Sequence, residues 1–246
     1  MQRMRVRVLD RAGRVRDGIA EDGVVDVGDS TLSTDSVTWL PPCEPSKIVC
    51  LARNVAAHAA EHDAVVPDRP EYFLKPPTAL AAHEGVVTIP EPIDSVEFEA
   101  ELAAVIGAPT RDIPEDRVLD HVAGLTCMND LSNRTDQRQE INWIRGKAFD
   151  GAAPLGPGIV DPASVPADAT IELSVDGERQ QVGNRDEYEF DLSTTIADLS
   201  QYMTLQPGDV IALGTTAGVG PIPDGATVEI DIEGIPTLRH QVEYAQ

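Results

Sequence analysis

Glu99 and Glu101 stand two residues apart in the strand-like run 96–107. Side chains at i and i+2 leave the same face of a strand, so the two carboxylates converge on one point. Like charges held that close repel, and both stay ionised best with a cation between them. Asp130, at the end of another strand-like run, offers a third acid. Three carboxylates with no nearby His or Cys set favour a hard divalent cation, Mg²⁺, Mn²⁺ or Ca²⁺, over zinc. In a chain with 42 acidic residues, the alternative is that all three simply face solvent.

His58 and Glu61 share a face if their segment is helical, and the carboxylate could then orient the imidazole as a general base for water. A surface pair is the bland alternative. Lys147 lies in Arg145-Gly146-Lys147-Ala148-Phe149-Asp150, where glycine lets the backbone approach a ligand closely. Its ammonium could hold a substrate carboxylate or a developing oxyanion, or simply face water. The loop 214–220, Gly-Thr-Thr-Ala-Gly-Val-Gly, is rich in donors and could bind an anion or serve as a plain turn. It fits neither the dinucleotide nor the P-loop fingerprint.

These residues need a scaffold, and the chain reads as a β-rich α+β protein. Residues 1–45 are expected to form a small N-terminal subdomain with strands at 4–9 and 23–27, ending in the proline-rich linker 40–45. Residues 46–246 are expected to form the catalytic domain. Its strands fall at 47–52, 72–75, 96–107, 124–130, 170–175, 209–213, 227–232 and 237–242. Helices are expected at 55–61, 117–123 and 192–203.

The net charge of −23 is spread along the whole chain, which argues against nucleic-acid binding. Only Lys47, Lys75 and Lys147 are lysines among 19 basic residues, a balance that resembles proteins of salt-accumulating halophiles. If lysine is excluded from the surface, the three that remain invite individual attention. Three cysteines without a CxxC suggest neither a disulfide framework nor a zinc site. The N-terminal ten residues lack an apolar run of signal-peptide length, and no stretch is long enough to span a membrane. A reducing cytoplasm is the expected compartment.

Taken in order, the segments 47–61, Tyr72-Phe73-Leu74-Lys75-Pro76-Pro77, Phe98-Glu99-Ala100-Glu101-Leu102, Asn129-Asp130-Leu131-Ser132-Asn133-Arg134, 146–150, 203–211 and 214–220 resemble the fumarylacetoacetate hydrolase superfamily over about residues 47–242. The resemblance implies a mixed β-roll, assembled as a homodimer. It implies Glu99, Glu101 and Asp130 as ligands of Mg²⁺, with Mn²⁺ or Ca²⁺ possible, and His58, Glu61 and Lys147 as catalytic residues. Arg53, Gln137 and Thr215 would contact the substrate. The implied activity uses a metal-stabilised enolate of a small 2-oxo (di)carboxylic acid. It would be that of a 2-hydroxyhepta-2,4-diene-1,7-dioate isomerase or a carbon–carbon hydrolase of the acylpyruvase type, with oxaloacetate decarboxylase or tautomerase as the alternative. A catalytically silent metal-binding scaffold is the non-enzyme alternative, which retention of His58, Glu61 and Lys147 beside the triad argues against.

Overall fold

Four largely apolar strands make the centre of the molecule: Ile48–Ala52, Ala100–Ile106, Val122–Asn129 and Val210–Thr215. Strands covered on both faces read as continuous apolar runs rather than alternating ones. Glu101 is the one charged residue in all four. The computed structural model describes residues 2–245, so the outermost positions of the two expected units, 1 and 246, lie outside the described residues.

The large sheet has twelve strands. Val210–Thr215 and Ile48–Ala52 run parallel, while Ala100–Ile106, Val122–Asn129 and Glu71–Lys75 join them antiparallel. The N-terminal strand Met4–Leu9 attaches at the other end, pairing Arg5 with Ile159. A five-stranded sheet that includes Thr170–Val175, Thr227–Ile232 and Ile235–Tyr244 packs against the large one, and the apolar core lies between them. The protein is therefore a β-rich α+β fold with mixed sheets. Its four α-helices among the described residues are α1 (Ala56–Glu61), α2 (Arg134–Gln139), α3 (Ile144–Lys147) and α4 (Leu192–Tyr202). Among the described residues, no helix is long and apolar enough to cross a membrane.

Two local expectations are corrected, and one strand is unexpected. The run 96–107 is not one strand: it breaks at Glu99, between Glu97–Phe98 and Ala100–Ile106. The helix expected at 117–123 is a 3₁₀ segment, Glu115–His121. Ala153–Val160, a stretch rich in proline and glycine where no strand is expected, is a fully buried strand. Proline cannot donate to a ladder, but this strand changes partner along its length. It meets Leu80–Ala82 over residues 153–155 and Met4–Leu9 at Ile159, and its register against Val122–Asn129 is interrupted.

Asp209 secures the parallel pair at the centre. Its Oδ1 accepts from Ser46 N at 2.8 Å, Ser46 Oγ at 2.7 Å and Lys47 N at 3.2 Å. Its Oδ2 accepts from Gln206 N at 2.8 Å and pairs with the Lys47 ammonium. Burial pushes this carboxyl up, but the hydrogen bonds from Lys47, Gln206 and Ser46 outweigh it and leave the pKa below its usual 3.8. A depressed native pKa adds stability above the unfolded value, and that contribution fades as pH falls through the native one. Asp209→Asn is expected to cost about 2–4 kcal/mol at neutral pH, because it leaves Lys47 and several donors without their charge partner. Urea unfolding should show the gap narrowing only below pH 3.8; a gap independent of pH would remove the ionic part of the argument.

Candidate active site

The antiparallel pair Ala100–Ile106 and Val122–Asn129 brings the three acids together. Ala100 faces Asn129 and Glu101 faces Met128, so Asp130 emerges beside the two glutamates. The break at Glu99 is held from both sides: its N–H donates to Asn129 Oδ1 at 2.9 Å, and its carbonyl accepts from Asp130 N at 2.9 Å. Asn129 is itself oriented by the buried His240, whose Nε2 lies 3.0 Å from Asn129 Nδ2. Burial holds the His240 imidazole down at about 4, so the ring is neutral and can accept that amide proton.

One carboxylate oxygen from each of Glu99, Glu101 and Asp130 lies within 4.8 Å of the other two, and all three side chains are buried. Lys147 Nζ bridges Glu99 Oε2 at 2.8 Å and Asp130 Oδ2 at 2.9 Å. Arg134 pairs with Glu99 Oε1 and, at 2.7 Å, with Glu97. Glu101 Oε2 accepts from Gly214 N at 2.8 Å. Lys75 Nζ lies 2.6 Å from Asp130 Oδ1 but directs its N–H groups to the carbonyls of Leu131, Lys147 and Ala152. Asp130 Oδ1 is thus buried without a hydrogen bond.

These environments push the two glutamates apart. Burial raises the Glu99 carboxyl, but the charges of Arg134, Lys147 and His58 overcome it and hold the group well below the usual carboxylate range. Burial raises Glu101 as well, and the Asp130 and Glu99 charges add to the rise. Burial would lower the Lys147 ammonium, but Asp130 and Glu99 raise it, so it stays charged. An all-oxygen donor set, with one buried oxygen that accepts no hydrogen bond and one carboxyl that resists ionisation, fits a hard divalent cation. Glu99, Glu101 and Asp130 are the residues that would hold it.

His58 and Glu61 meet as their spacing predicts, on the short helix α1. His58 Nδ1 lies 3.1 Å from Glu61 Oε2, and Nε2 lies 4.0 Å from Glu99 Oε1. Glu61 Oε1 also accepts from Gly218 N at 2.7 Å. The loop 214–220 therefore does donate through its backbone, and the acceptors are the protein's own carboxyl groups, Glu61 and Glu101. Gly214 has φ +98° and a Cβ there would sit 3.2 Å from Asn54 Cβ, so the close approach depends on glycine.

A cavity of about 470 Å³ opens over the acids. Arg53, Gln137 and Thr215 all line it, as do His58, Glu61 and Lys147. Gln137 Oε1 accepts from Arg134 Nη1 at 2.8 Å, and Thr215 Oγ1 accepts from Gln181 Nε2 at 3.0 Å. Arg53 pairs with Glu71, which draws its guanidinium toward the neighbouring strand. Asp130 lies beneath the cavity rather than in its wall.

Several supporting residues escape a reading of motifs. Gln181 joins Ala100 N to Thr215 and Thr216, tying the glycine loop to the strand of Glu101. The scarcity of lysine pointed toward Lys75, but nothing in the sequence pointed to His240, which is 111 residues from Asn129.

Known proteins resemble the chain over most of its length. The family described as fumarylacetoacetate (FAA) hydrolase C-terminal matches residues 47–243. A protein of Archaeoglobus fulgidus is 40% identical over 230 residues, covering 93% of this chain and 92% of the relative. Among solved structures, 5-carboxymethyl-2-hydroxymuconate delta-isomerase from Mycobacterium smegmatis superposes with a TM-score of 0.91 at 37% identity, covering 100% of both chains. The 2-hydroxyhepta-2,4-diene-1,7-dioate isomerase from Mycobacterium marinum gives 0.89 at 32% identity and 99% of both chains. A fumarylacetoacetate hydrolase from Exiguobacterium antarcticum gives 0.86 at 31% identity, covering 99% of this chain and 100% of that one. The chain belongs to the fumarylacetoacetate hydrolase family.

Proposed function

We propose that this protein is a divalent-metal-dependent enzyme that hydrolyses or isomerises a small 2-oxo (di)carboxylic acid. The observation that carries the reading is the convergence of three buried carboxylates beneath the His58–Glu61 pair in one cavity. The names of the structural neighbours, two isomerases and a hydrolase, support the same substrate class. When bound, Mg²⁺ or Mn²⁺ supplies Lewis acidity toward the carboxylate and 2-oxo oxygens of such a substrate.

The residues divide the remaining work. With Glu61 accepting from Nδ1–H, the His58 ring keeps Nε2 free as a base toward the cavity. Nε2 takes a proton from water as the oxygen adds to the acyl carbon of an acylpyruvate. The carbon–carbon bond then breaks, and the proton returns from the imidazolium to the leaving carbon. Glu61, fixed by Gly218 N, stabilises the imidazolium meanwhile. Lys147 uses two N–H groups on Glu99 and Asp130, and its third remains for a developing negative charge on the substrate. This dyad favours hydrolysis, whereas the isomerase names favour a proton shift within one carbon skeleton.

The test is turnover of acylpyruvates, oxaloacetate and 2-hydroxyhepta-2,4-diene-1,7-dioate with Mg²⁺ or Mn²⁺, at high salt because an acidic chain is self-repelling when unscreened. We expect turnover of an acylpyruvate or of the heptadienedioate that stops on chelation. No metal-dependent turnover of any of them would sink the proposal.

A further inference from the structure

Lys147 and Arg134 line the cavity with their charges committed to Glu99, Asp130 and Glu97, and Arg53 is committed to Glu71. Arg138 also lines it, one residue beyond Gln137 on α2, and is exposed. Among the described residues its side chain has no ion pair and no hydrogen bond. In a chain with 42 acidic residues that is unusual, since the other arginines lacking such a partner are Arg3 and Arg11, near the N-terminus. The cavity therefore has a cation-binding end made of buried acids and, at its open side, a guanidinium with an unfilled fork. Phe73 and Trp143, packed edge to face at 5.4 Å, give the same cavity an apolar wall.

We propose that Arg138 receives the distal carboxylate of a dicarboxylic 2-oxo acid, and so sets a preference for dicarboxylates over monocarboxylates. The inference rests on reading the cavity as a 2-oxo acid site. A guanidinium matches a carboxylate with two parallel donors. The chemistry of the surroundings explains why one is needed: a net charge of −23 disfavours the approach of a dianion unless a free cation stands at the entrance. The wall of Phe73 and Trp143 suits the carbon chain between the two carboxylates.

The experiment is calorimetry on the Mg²⁺-loaded full chain with 2-oxoadipate and 2-oxohexanoate, which have equal chain length and end in a carboxylate and a methyl respectively. The parent is expected to bind 2-oxoadipate roughly tenfold tighter, the scale of one partly solvated charge-assisted pair. Arg138→Gln should remove most of that preference, Arg138→Lys should restore part of it, and added salt should shrink it in the parent. Equal preference in parent and Arg138→Gln, or no preference in the parent, overturns the assignment of Arg138 while the 2-oxo acid site stands. A parent that binds neither ligand overturns both.

Discussion

Glu101→Gln is expected to weaken Mg²⁺ binding by roughly a hundredfold or more, beyond the loss typical of residues that merely support a ligand. The substitution keeps the shape of the site, because an amide oxygen can still accept from Gly214 N, but it removes the only ionisable group in the central four strands that could become a carboxylate ligand. In the metal-free chain Glu101 is a buried acid that holds its proton, through burial and then through the charges of Asp130 and Glu99. Above the usual carboxylate value the native state thus binds more protons than the unfolded state, and stability falls as pH rises. The glutamine variant lacks that fall. It should be at least as stable as the metal-free parent at neutral pH, yet gain no melting temperature from added Mg²⁺. In the parent the proton must leave as the cation arrives, so affinity should tighten with rising pH. Calorimetry showing unchanged Mg²⁺ binding in Glu101→Gln would remove this residue from the ligand set.

His58→Ala is the second large effect, a loss of roughly 10²–10⁴ in kcat on an acylpyruvate, the usual worth of a positioned general base. Three contacts argue for it. Glu61 fixes Nδ1, Gly218 fixes Glu61, and Nε2 is left beside Glu99 at the floor of the cavity. None of the proposed metal ligands depends on His58 for a hydrogen bond, so Mg²⁺ affinity should stay nearly intact. That split separates loss of a base from collapse of the site. Equal turnover in variant and parent would take the dyad out of the mechanism.

The placement of the candidate site was largely legible from residue order, though not always for the reason that spacing suggests. Glu99 and Glu101 do converge, but Glu99 sits in a break held by Asn129 and Asp130 rather than within a continuous strand. Alternation could not reveal this, because the break depends on a side chain thirty residues away. Apolar runs such as 48–52 and 210–215 announced the central strands, since burial on both faces leaves an uninterrupted hydrophobic signature. Ala153–Val160 hid because its prolines and glycines mimic a loop, and only its change of partners makes them tolerable. His240 and Gln181 were invisible for a related cause: each acts through polar contacts across the fold, a relation that local pattern does not encode.

The buried lysines have a practical side. Lys75 and Lys147 are 1% and 2% exposed, which leaves Lys47 as the one lysine ammonium within reach of solvent. Among the lysines, amine-directed labels, cross-linkers and resin couplings would therefore concentrate on Lys47, and acylating it would strip the charge partner from Asp209. A preparation tagged or immobilised through amines would be loosened at the clamp joining two central strands. Attachment through an introduced surface cysteine avoids that, because the three native thiols are buried.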